Sequence, residues 1–110
     1  MQAVDKRHTM WQGMSVRYFE WDDEKNKELI RTRGISFEEV VFWIMQGGLL
    51  DIIEHPNKAK YPGQKIFVVR VEDYVYLVPF VEDEQFIFLK TIIPSRKMTQ
   101  KYIGGRKEEK

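Results

Sequence analysis

Residues 65–96 read KIFVVRVEDYVYLVPFVEDEQFIFLKTIIPSR, and this stretch decides the fold. It contains three apolar runs, separated by the acidic pair Glu72-Asp73 and by the acidic residues 82–84. β-Branched and aromatic side chains suit a pleated sheet, and short acidic segments end each run. Such short connections permit only antiparallel pairing, because a parallel crossover needs about a dozen residues or more. The stretch therefore predicts an antiparallel meander with strands at residues 65–71, 74–81 and 85–93.

Composition limits the class of protein. The 110 residues are 43% hydrophobic and 32% charged, which is typical of one globular domain. The absence of cysteine excludes disulfides and thiolate chemistry. No apolar run approaches the roughly 20 residues that span a membrane, and no signal-peptide core is present, so we expect a cytoplasmic protein. The net charge is only +1, but residues 95–110 carry six Lys or Arg against two Glu, so basic character is concentrated at the C-terminus.

Two helices are predicted after a short strand at residues 15–20. Asp22 suits the N-cap of the first helix, which runs to about Thr32 and ends at Gly34. Ser36 and Glu39 form the pattern of a capping box at the start of the second helix. The second helix presents apolar residues at helical spacing and ends at Gly47-Gly48.

The remaining segments complete an α+β domain. We expect a strand at residues 49–54, a loop at residues 55–64, the meander, and a final helix of about ten residues that Pro94 opens. The order β-α-α-β-β-β-β-α predicts helices covering a mainly antiparallel sheet. We expect residues 14–105 to form this single domain, residues 1–13 to be a flexible leader and residues 106–110 to be a charged tail.

The usual catalytic motifs are missing from the sequence. There is no glycine-rich phosphate loop and no nucleophile elbow, and the two histidines, His8 and His55, have no partner at metal-ligand spacing. The pairs Glu72-Asp73 and Glu82-Asp83 are interpreted as turn residues. Metal-dependent hydrolysis and acyl transfer are therefore set aside, and neither a metal nor a cofactor is expected.

Two cations lie within the apolar strands. Alternation places Lys90 on the same face as Phe86 and Phe88, and it places Arg70 in register with Val68. One interpretation is that both extend from an edge strand and oppose aggregation. The other is a sheet face that binds RNA, with cations for phosphates and rings for bases.

A second candidate surface is the helical face together with the C-terminal segment. This surface carries more large apolar side chains than a short amphipathic helix needs to pack a small core: Trp21, Phe42, Trp43 and Met45. Aromatic residues and methionine are enriched at interface centres. Simple core packing is the alternative, and it is favoured for Phe42 and Met45.

Motifs at both ends of the domain resemble one known family. Residues 19–25 have the pattern F-E-W-D-x-x-K, residues 33–39 read RGISFEE, and residues 91–97 read TIIPSRK. These motifs are similar to the opening and closing motifs of the BrnT family, which are toxins of bacterial type II toxin-antitoxin modules. The resemblance covers both ends of residues 15–102, and the strands between them are matched in character. This chain retains Lys25, Arg96 and Lys97, and it has Arg33 where the family has histidine.

The resemblance implies a RelE-like fold, endoribonuclease activity on messenger RNA, and neutralisation by a cognate antitoxin with a ribbon-helix-helix domain. A homodimer is left open. For an endoribonuclease of this kind we expect a site made of cations, of which the motifs match Lys25, Arg96 and Lys97. The candidate residues are Lys25, Arg33, Lys90 and Arg96 at the scissile phosphate, and Arg70, Lys97 and Lys101 along the bound RNA. Arg96 follows the last strand at a strand-to-helix junction, where we expect it to serve function more than stability. The second class of function is a catalytically silent relative that binds RNA or a protein.

Overall fold

The computed structural model describes residues 9–12 and 15–104, with side chains from residue 17 onward. Seven strands and three helices occupy this part of the chain. In order they are β1 Thr9–Gln12, β2 Ser15–Glu20, α1 Asp23–Arg33, α2 Phe37–Trp43, β3 Leu49–Glu54, β4 Lys65–Val71, β5 Tyr74–Glu82, β6 Phe86–Leu89, β7 Ile93–Pro94 and α3 Arg96–Thr99. Single π-helical turns, Ile44–Gly48 and Gln100–Gly104, extend α2 and α3. The α+β class is confirmed, and so are the elements predicted between residues 15 and 89.

The strands form one mixed sheet in the order β1-β2-β6-β5-β4-β3, and β7 pairs with β5 beyond the end of β6. The predicted meander is confirmed, because β4, β5 and β6 are consecutive antiparallel neighbours. The pairing of β2 with β6 is parallel, and every other strand pair described is antiparallel. This parallel pair joins the N-terminal strand to the end of the meander.

The third meander strand is interrupted, whereas the sequence predicted one strand over residues 85–93. The amide of Lys90 donates to the carbonyl of Pro79 at 2.8 Å, but Pro79 has no N–H to return a bond. The ladder therefore stops after β6, and the chain rejoins β5 as β7, with Ile93 opposite Leu77. Pro94 consequently ends a strand, and it is Ser95 that caps α3 by accepting from the amide of Met98 at 3.1 Å. The expectation that Pro94 opens the last helix was wrong for this reason, because α3 begins two residues later, at Arg96.

The helix ends follow the predicted signals. Ser36 and Glu39 form a complete capping box, with both hydrogen bonds at 3.0 Å. Gly34 ends α1 with φ +69°, a conformation that a side chain disfavours. Gly48 follows α2 because a Cβ there would lie 2.6 Å from the carbonyl oxygen of Arg70.

The main core lies between one face of the sheet and the two longer helices. Its largest fully buried side chains include Phe19, Leu29, Phe37, Phe67 and Phe80. The rings of Phe67 and Phe80 stack with centroids 3.9 Å apart. This arrangement leaves the opposite side of the sheet free of α1 and α2.

We call that opposite side the second face. By strand register it carries Tyr18, Glu20, Ile66, Val68, Arg70, Val75, Leu77, Pro79, Val81, Phe86 and Phe88. Val68 and Val75 are fully buried, and α3 packs against β5. Towards β2 and β6 the face is more open, since Tyr18 is 40% exposed.

The predicted leader is only partly described. Residues 9–12 within it form β1, which pairs with β2 from Thr9 opposite Tyr18 to Gln12 opposite Ser15. Four residues without periodicity give no strand signal on their own, so the sequence did not indicate β1. Residues 1–8 and 105–110, with most of the leader and the charged tail, lie outside the described residues. Among the described helices, none has the length and apolar character needed to cross a membrane.

Candidate nucleic-acid interface

Arg96 lies at the junction where the sheet passes into α3. It is the first residue of α3, it is exposed, and the capping bond of Ser95 fixes the turn on which it stands. The helix is tied to β5, because Ser95 donates its amide to the carbonyl of Val75 at 3.0 Å and Thr99 Oγ1 accepts from the amide of Val75 at 2.9 Å. A rigid backbone therefore carries a solvent-facing guanidinium, as the sequence predicted.

A cleft of about 520 Å³ opens beside Arg96. Its polar lining includes the turn residue Asp73, the Tyr74 side chain that follows it, and Thr99 and Gln100 of the C-terminal helical segment. Within residues 17–104, no carboxylate lies within 4.0 Å of the Arg96 guanidinium. Arg96 thus presents a charge that no ion pair in the described chain neutralises, which suits binding of an anion.

Sequence reasoning missed Asp73 and Tyr74 as members of this site. Both belong to the β4–β5 hairpin, where Val71 pairs with Tyr74 and the intervening Glu72 has φ +57°. Their proximity to Arg96 depends on the return of β7 to β5 after the break at Pro79, which the strand pattern did not indicate. The only local signal was that an acidic and a phenolic group follow one another at a turn.

Tyr76 lies two residues after Tyr74 on β5, and its pKa is shifted from the ordinary value. Its ring centroid lies 5.5 Å from that of Tyr74. Partial burial, reinforced by the neighbouring Tyr74, Glu39 and Glu72, raises the pKa of Tyr76 above its ordinary value of 10.0. Tyr76 packs against the main core and is not among the described residues that line the Arg96 cleft, so it supports Tyr74 from the core side.

Lys90 and Arg70 lie on or beside the second face. The Lys90 ammonium stands 5.7 Å from the ring centroid of Phe88, which places the two side chains together as alternation predicted. Arg70 is exposed and donates its Nε–H to the carbonyl of Glu72 at 2.9 Å, so it also holds the hairpin turn. Lys90 and Ser95 bond to Pro79 and Val75, which are four residues apart on β5 and hence separated by roughly 13 Å. Lys90 therefore lies well apart from the Arg96 junction along β5, and Arg70 lies across β5 from that junction, opposite Val75. The structure does not bring Lys90, Arg70 and Arg96 into one cluster.

The two predicted site residues on α1 are arranged differently. Lys25, in the first turn, forms an ion pair with Glu28 at 3.7 Å. Arg33, in the last turn, donates to the carbonyl of Ile92, where the chain bridges β6 and β7. Eight residues of helix place their backbones about 12 Å apart. The structure therefore separates Lys25 from Arg33, and it gives Arg33 a contact that supports the interrupted strand.

The remaining candidate RNA-binding residues lie on the C-terminal segment, and His55 lies in a separate loop. Lys97 and Lys101 are exposed, and the Lys101 ammonium lies 5.4 Å from the ring centroid of Tyr102. His55 lies in the loop at residues 55–64, where Nδ1 accepts from the amide of Asn57 at 3.0 Å and the ring lies 4.3 Å from Tyr61. His55 is therefore committed to a loop contact and is not among the residues that line the Arg96 cleft.

The four residues considered for a partner surface divide into two pairs. Trp21 is 3% exposed and stacks on Phe37, and Trp43 is half-buried against the core. Phe42 is 55% exposed and Met45 is 45% exposed. The expectation of core packing for Phe42 and Met45 was wrong, because α2 turns these positions away from the sheet. An exposed apolar pair therefore lies on the helical side of the molecule.

The fold and this surface define a small α+β protein with a mixed sheet and a cation-bearing cleft at the sheet-to-helix junction. Comparison of the chain with models of protein families, with curated proteins and with solved structures finds no match. Function must therefore be inferred from the residues of the site and from the motifs that resemble a known family.

Proposed function

We propose that this chain is the toxin of a bacterial toxin-antitoxin module, with a RelE-like fold, and that it cleaves messenger RNA in the cytoplasm. The observation that carries the proposal is the cleft beside Arg96. The Arg96 guanidinium, which has no ion-pair partner among the described residues, lines this cleft together with the side chains of Asp73 and Tyr74. A planar guanidinium can contact two phosphate oxygens at once. The motif at residues 91–97, which resembles the closing motif of the BrnT family, contains this same arginine.

The chemistry requires only groups that the chain supplies. The 2′-oxygen of one nucleotide attacks the adjacent phosphorus and the bond to the 5′-oxygen breaks, which leaves a 2′,3′-cyclic phosphate and a 5′-hydroxyl. Arg96 stabilises the charge that accumulates on the phosphate oxygens. The Asp73 carboxylate accepts the proton of the 2′-hydroxyl, and the Tyr74 hydroxyl donates a proton to the leaving oxygen.

The other cations have positioning roles in this proposal. Lys90 and Arg70 contact phosphates that flank the cleaved one, since both lie apart from Arg96, Lys90 further along β5 and Arg70 across it on β4. Lys97 and Lys101 contact further phosphates on the C-terminal segment. Lys25 and Arg33 act less directly, because α1 holds them apart and Arg33 is bonded to the carbonyl of Ile92.

Induced expression followed by mapping of RNA ends tests the proposal. We expect growth arrest and new RNA ends that carry a 5′-hydroxyl, and neither with Arg96→Ala expressed to the same soluble level. Unchanged growth and unchanged RNA ends with soluble wild-type protein would overturn cleavage. The alternative function, RNA binding without cleavage, would then be supported by retained affinity for RNA.

A protein partner is the second part of the proposal. The exposed Phe42 and Met45 suit the centre of an interface, where aromatic residues and methionine are enriched. We propose that a small ribbon-helix-helix antitoxin covers them. If a protein of this class is encoded beside the gene, its co-expression should restore growth, and Phe42→Ser should abolish that rescue. Rescue that is unaffected by Phe42→Ser would place the partner elsewhere.

A further inference from the structure

The cleft beside Arg96 has a charged part and an apolar part. One wall is the β4–β5 turn, with Asp73 and Tyr74, and the other is the C-terminal helical segment. From that segment the cleft is lined by Arg96, Gln100 and Ile103, whose spacing of four and then three residues places them on one face of a helix. The guanidinium therefore lies at one end of this face, and the apolar side chain of Ile103 lies roughly 10 Å further along the axis.

Gln100 has hydrogen-bonding groups that the described part of the chain leaves unused. Its backbone amide bonds within the helical segment, but its side-chain amide has no hydrogen bond to any described residue. The neighbouring Thr99 differs, because its hydroxyl donates to the carbonyl of Ser95 at 2.7 Å and accepts from the amide of Val75 at 2.9 Å. Thr99 thus holds the helical segment to β5, whereas Gln100 is available to a ligand in the cleft.

The base of the Gln100 side chain lies against the end of the same segment. Gly104 is buried, and a Cβ built on it would lie 3.7 Å from both Cβ and Cγ of Gln100, which is ordinary van der Waals contact. The backbone that carries Gln100 is tied to β5 through Thr99. A carboxamide on a backbone held in this way can discriminate between ligands, because its reach is limited.

We propose that Gln100 reads the base next to the cleaved phosphate and selects adenine. With the phosphate held by Arg96, the adjoining unpaired base enters the cleft and lies on the side chain of Ile103, as flipped bases lie against apolar and aromatic side chains. The volume of about 520 Å³ is within the range of roughly 300–1,000 Å³ for small-ligand sites. The inference rests on the proposed function for RNA as the ligand, and it adds the base specificity of the cleavage.

The chemistry of a carboxamide favours adenine. A glutamine amide offers one donor and one acceptor side by side, and adenine presents the complementary pair, an amino group next to a ring nitrogen that accepts. Adenine does so on both of its hydrogen-bonding edges, so the pairing is the same whichever edge faces Gln100. Guanine presents two acceptors on one of these edges, and the smaller pyrimidines cover less of the apolar surface of Ile103.

Cleavage of four matched RNAs tests the assignment. Each is a short RNA of uridines whose central position is adenosine, cytidine, guanosine or uridine. We expect cleavage at a phosphate beside the adenosine, with kcat/KM about tenfold above that for the other three RNAs. Gln100→Met retains the length and helical preference of the side chain but has no amide. It should lower kcat/KM for the adenosine RNA about tenfold and thereby remove the preference.

Binding of uncut RNA provides a second measurement. The 2′-O-methyl versions of the four RNAs lack the nucleophile, so they report affinity alone. The wild type should bind the adenosine version about tenfold more tightly than the others, and Gln100→Met should bind all four alike. Gln46→Met makes the same substitution at an exposed position of the π-helical turn after α2, outside the described lining of the cleft, and should keep the preference. Melting curves establish that both variants are folded.

The outcomes separate the two proposals. Cleavage beside every base alike, or a preference that persists in Gln100→Met, overturns base reading and leaves cleavage at Arg96 standing. A loss in Gln100→Met that is equal for all four RNAs also overturns base reading, because it assigns the residue to the support of the cleft. Adenosine-selective binding that depends on Gln100, by a protein that cuts no RNA, upholds base reading and overturns cleavage. Absence of any RNA binding by the wild-type chain overturns both.

Discussion

Substitution of Arg96 is expected to reduce RNA cleavage strongly and to change the free energy of unfolding little. Its side chain is exposed, and the capping bond beside it belongs to Ser95, so removal of the guanidinium leaves the fold intact. We expect Arg96→Ala to lower RNA cleavage about a hundredfold or more, as for loss of one transition-state donor. Its free energy of unfolding should change by less than about 1 kcal/mol. Cleavage of a labelled RNA and a denaturation curve, measured on the same preparation, check both statements.

Arg33 provides the matched comparison for Arg96. Its guanidinium bonds the carbonyl of Ile92, so Arg33→Ala should destabilise the protein by about 1–3 kcal/mol. An Arg33→Ala protein as stable as the wild type, together with a destabilised Arg96→Ala protein, would reverse the assignment of the two residues. Lys25→Ala should have a smaller effect on cleavage than Arg96→Ala, because Lys25 pairs with Glu28 on α1.

Individual site residues were predictable only where alternation or motif spacing indicated them. The side on which Lys90 and Phe88 lie follows from a period of two along a strand. The contact of Arg33 with Ile92 could not be predicted, because it requires the break that Pro79 imposes on the neighbouring strand. The burial of Trp21 and the exposure of Phe42 likewise depend on how α2 rotates against the sheet.

Asn26 joins the two longer helices. It is buried, its Oδ1 accepts from the amide of Phe37 at 2.7 Å, and its Nδ2 donates to Glu38 at 2.8 Å. Asn26→Ala leaves a buried amide at the start of α2 without its acceptor, and we expect a loss of about 1–3 kcal/mol in stability. Glu38→Ala removes only an exposed partner and should cost less than about 1 kcal/mol. Chemical denaturation of the two variants compares them, and equal losses would contradict the bridging role of Asn26.

Strand β3 is protected at its outer edge. It is the last strand in the sheet order, and the amide of its exposed residue Ile52 is occupied by the Asp51 carboxylate at 2.8 Å. A charged residue at an edge opposes pairing with a second chain. Asp51→Ala should therefore increase self-association as concentration rises, as measured by sedimentation velocity. Asp51→Asn retains an acceptor and should associate less than Asp51→Ala, and monomeric behaviour of both variants would disprove edge protection.

The elements with strong local signals were predictable. The capping box at Ser36, the glycine at position 34 and the hairpin at Glu72-Asp73 each require one backbone geometry that few residue types provide. Strand β1 and the two-residue β7 have no such signal and exist because a neighbouring strand offers hydrogen-bonding groups. Local chemistry therefore determined most elements, and tertiary pairing determined the rest.

At the scale of the whole molecule, the parallel contact of β2 with β6 joins the N-terminal strands to the meander in one sheet. The sequence indicated a meander and a separate N-terminal strand, but nothing local specified which edge of the meander would receive that strand. The pairing of β2 with β6 places Tyr18 beside Phe86, and it makes β6 the strand that separates β2 from β5. The placement of Tyr18 and Phe86 side by side on the second face is consequently a product of long-range pairing.

Glu82 links distant strands of this sheet. It accepts from Arg17 on β2 at 2.6 Å and from Lys65 on β4 at 3.1 Å. Partial burial acts to raise the pKa of Glu82, but the hydrogen bonds from Lys65 and Arg17 outweigh it and hold the pKa below the ordinary value of 4.5. A carboxyl whose pKa is lower in the folded state adds stability above its unfolded pKa, and that stability is lost as the pH falls through the folded pKa.

Glu82→Gln should therefore lower stability at about pH 7, by roughly 1 kcal/mol because the site is partly solvated. The difference from the wild type should shrink as the pH falls below about 4.5, since protonation then removes the same charge from the native protein. Asp83 titrates in the same direction, because the amides of Phe86 and Gln85 lower its pKa, so some acid sensitivity remains in the variant. Denaturation midpoints measured from about pH 7 to about pH 3 give the comparison. The adjacent, exposed Glu84→Gln should follow the wild-type curve throughout, and a Glu82→Gln curve parallel to the wild type would show that this carboxylate does not stabilise the sheet through its charge.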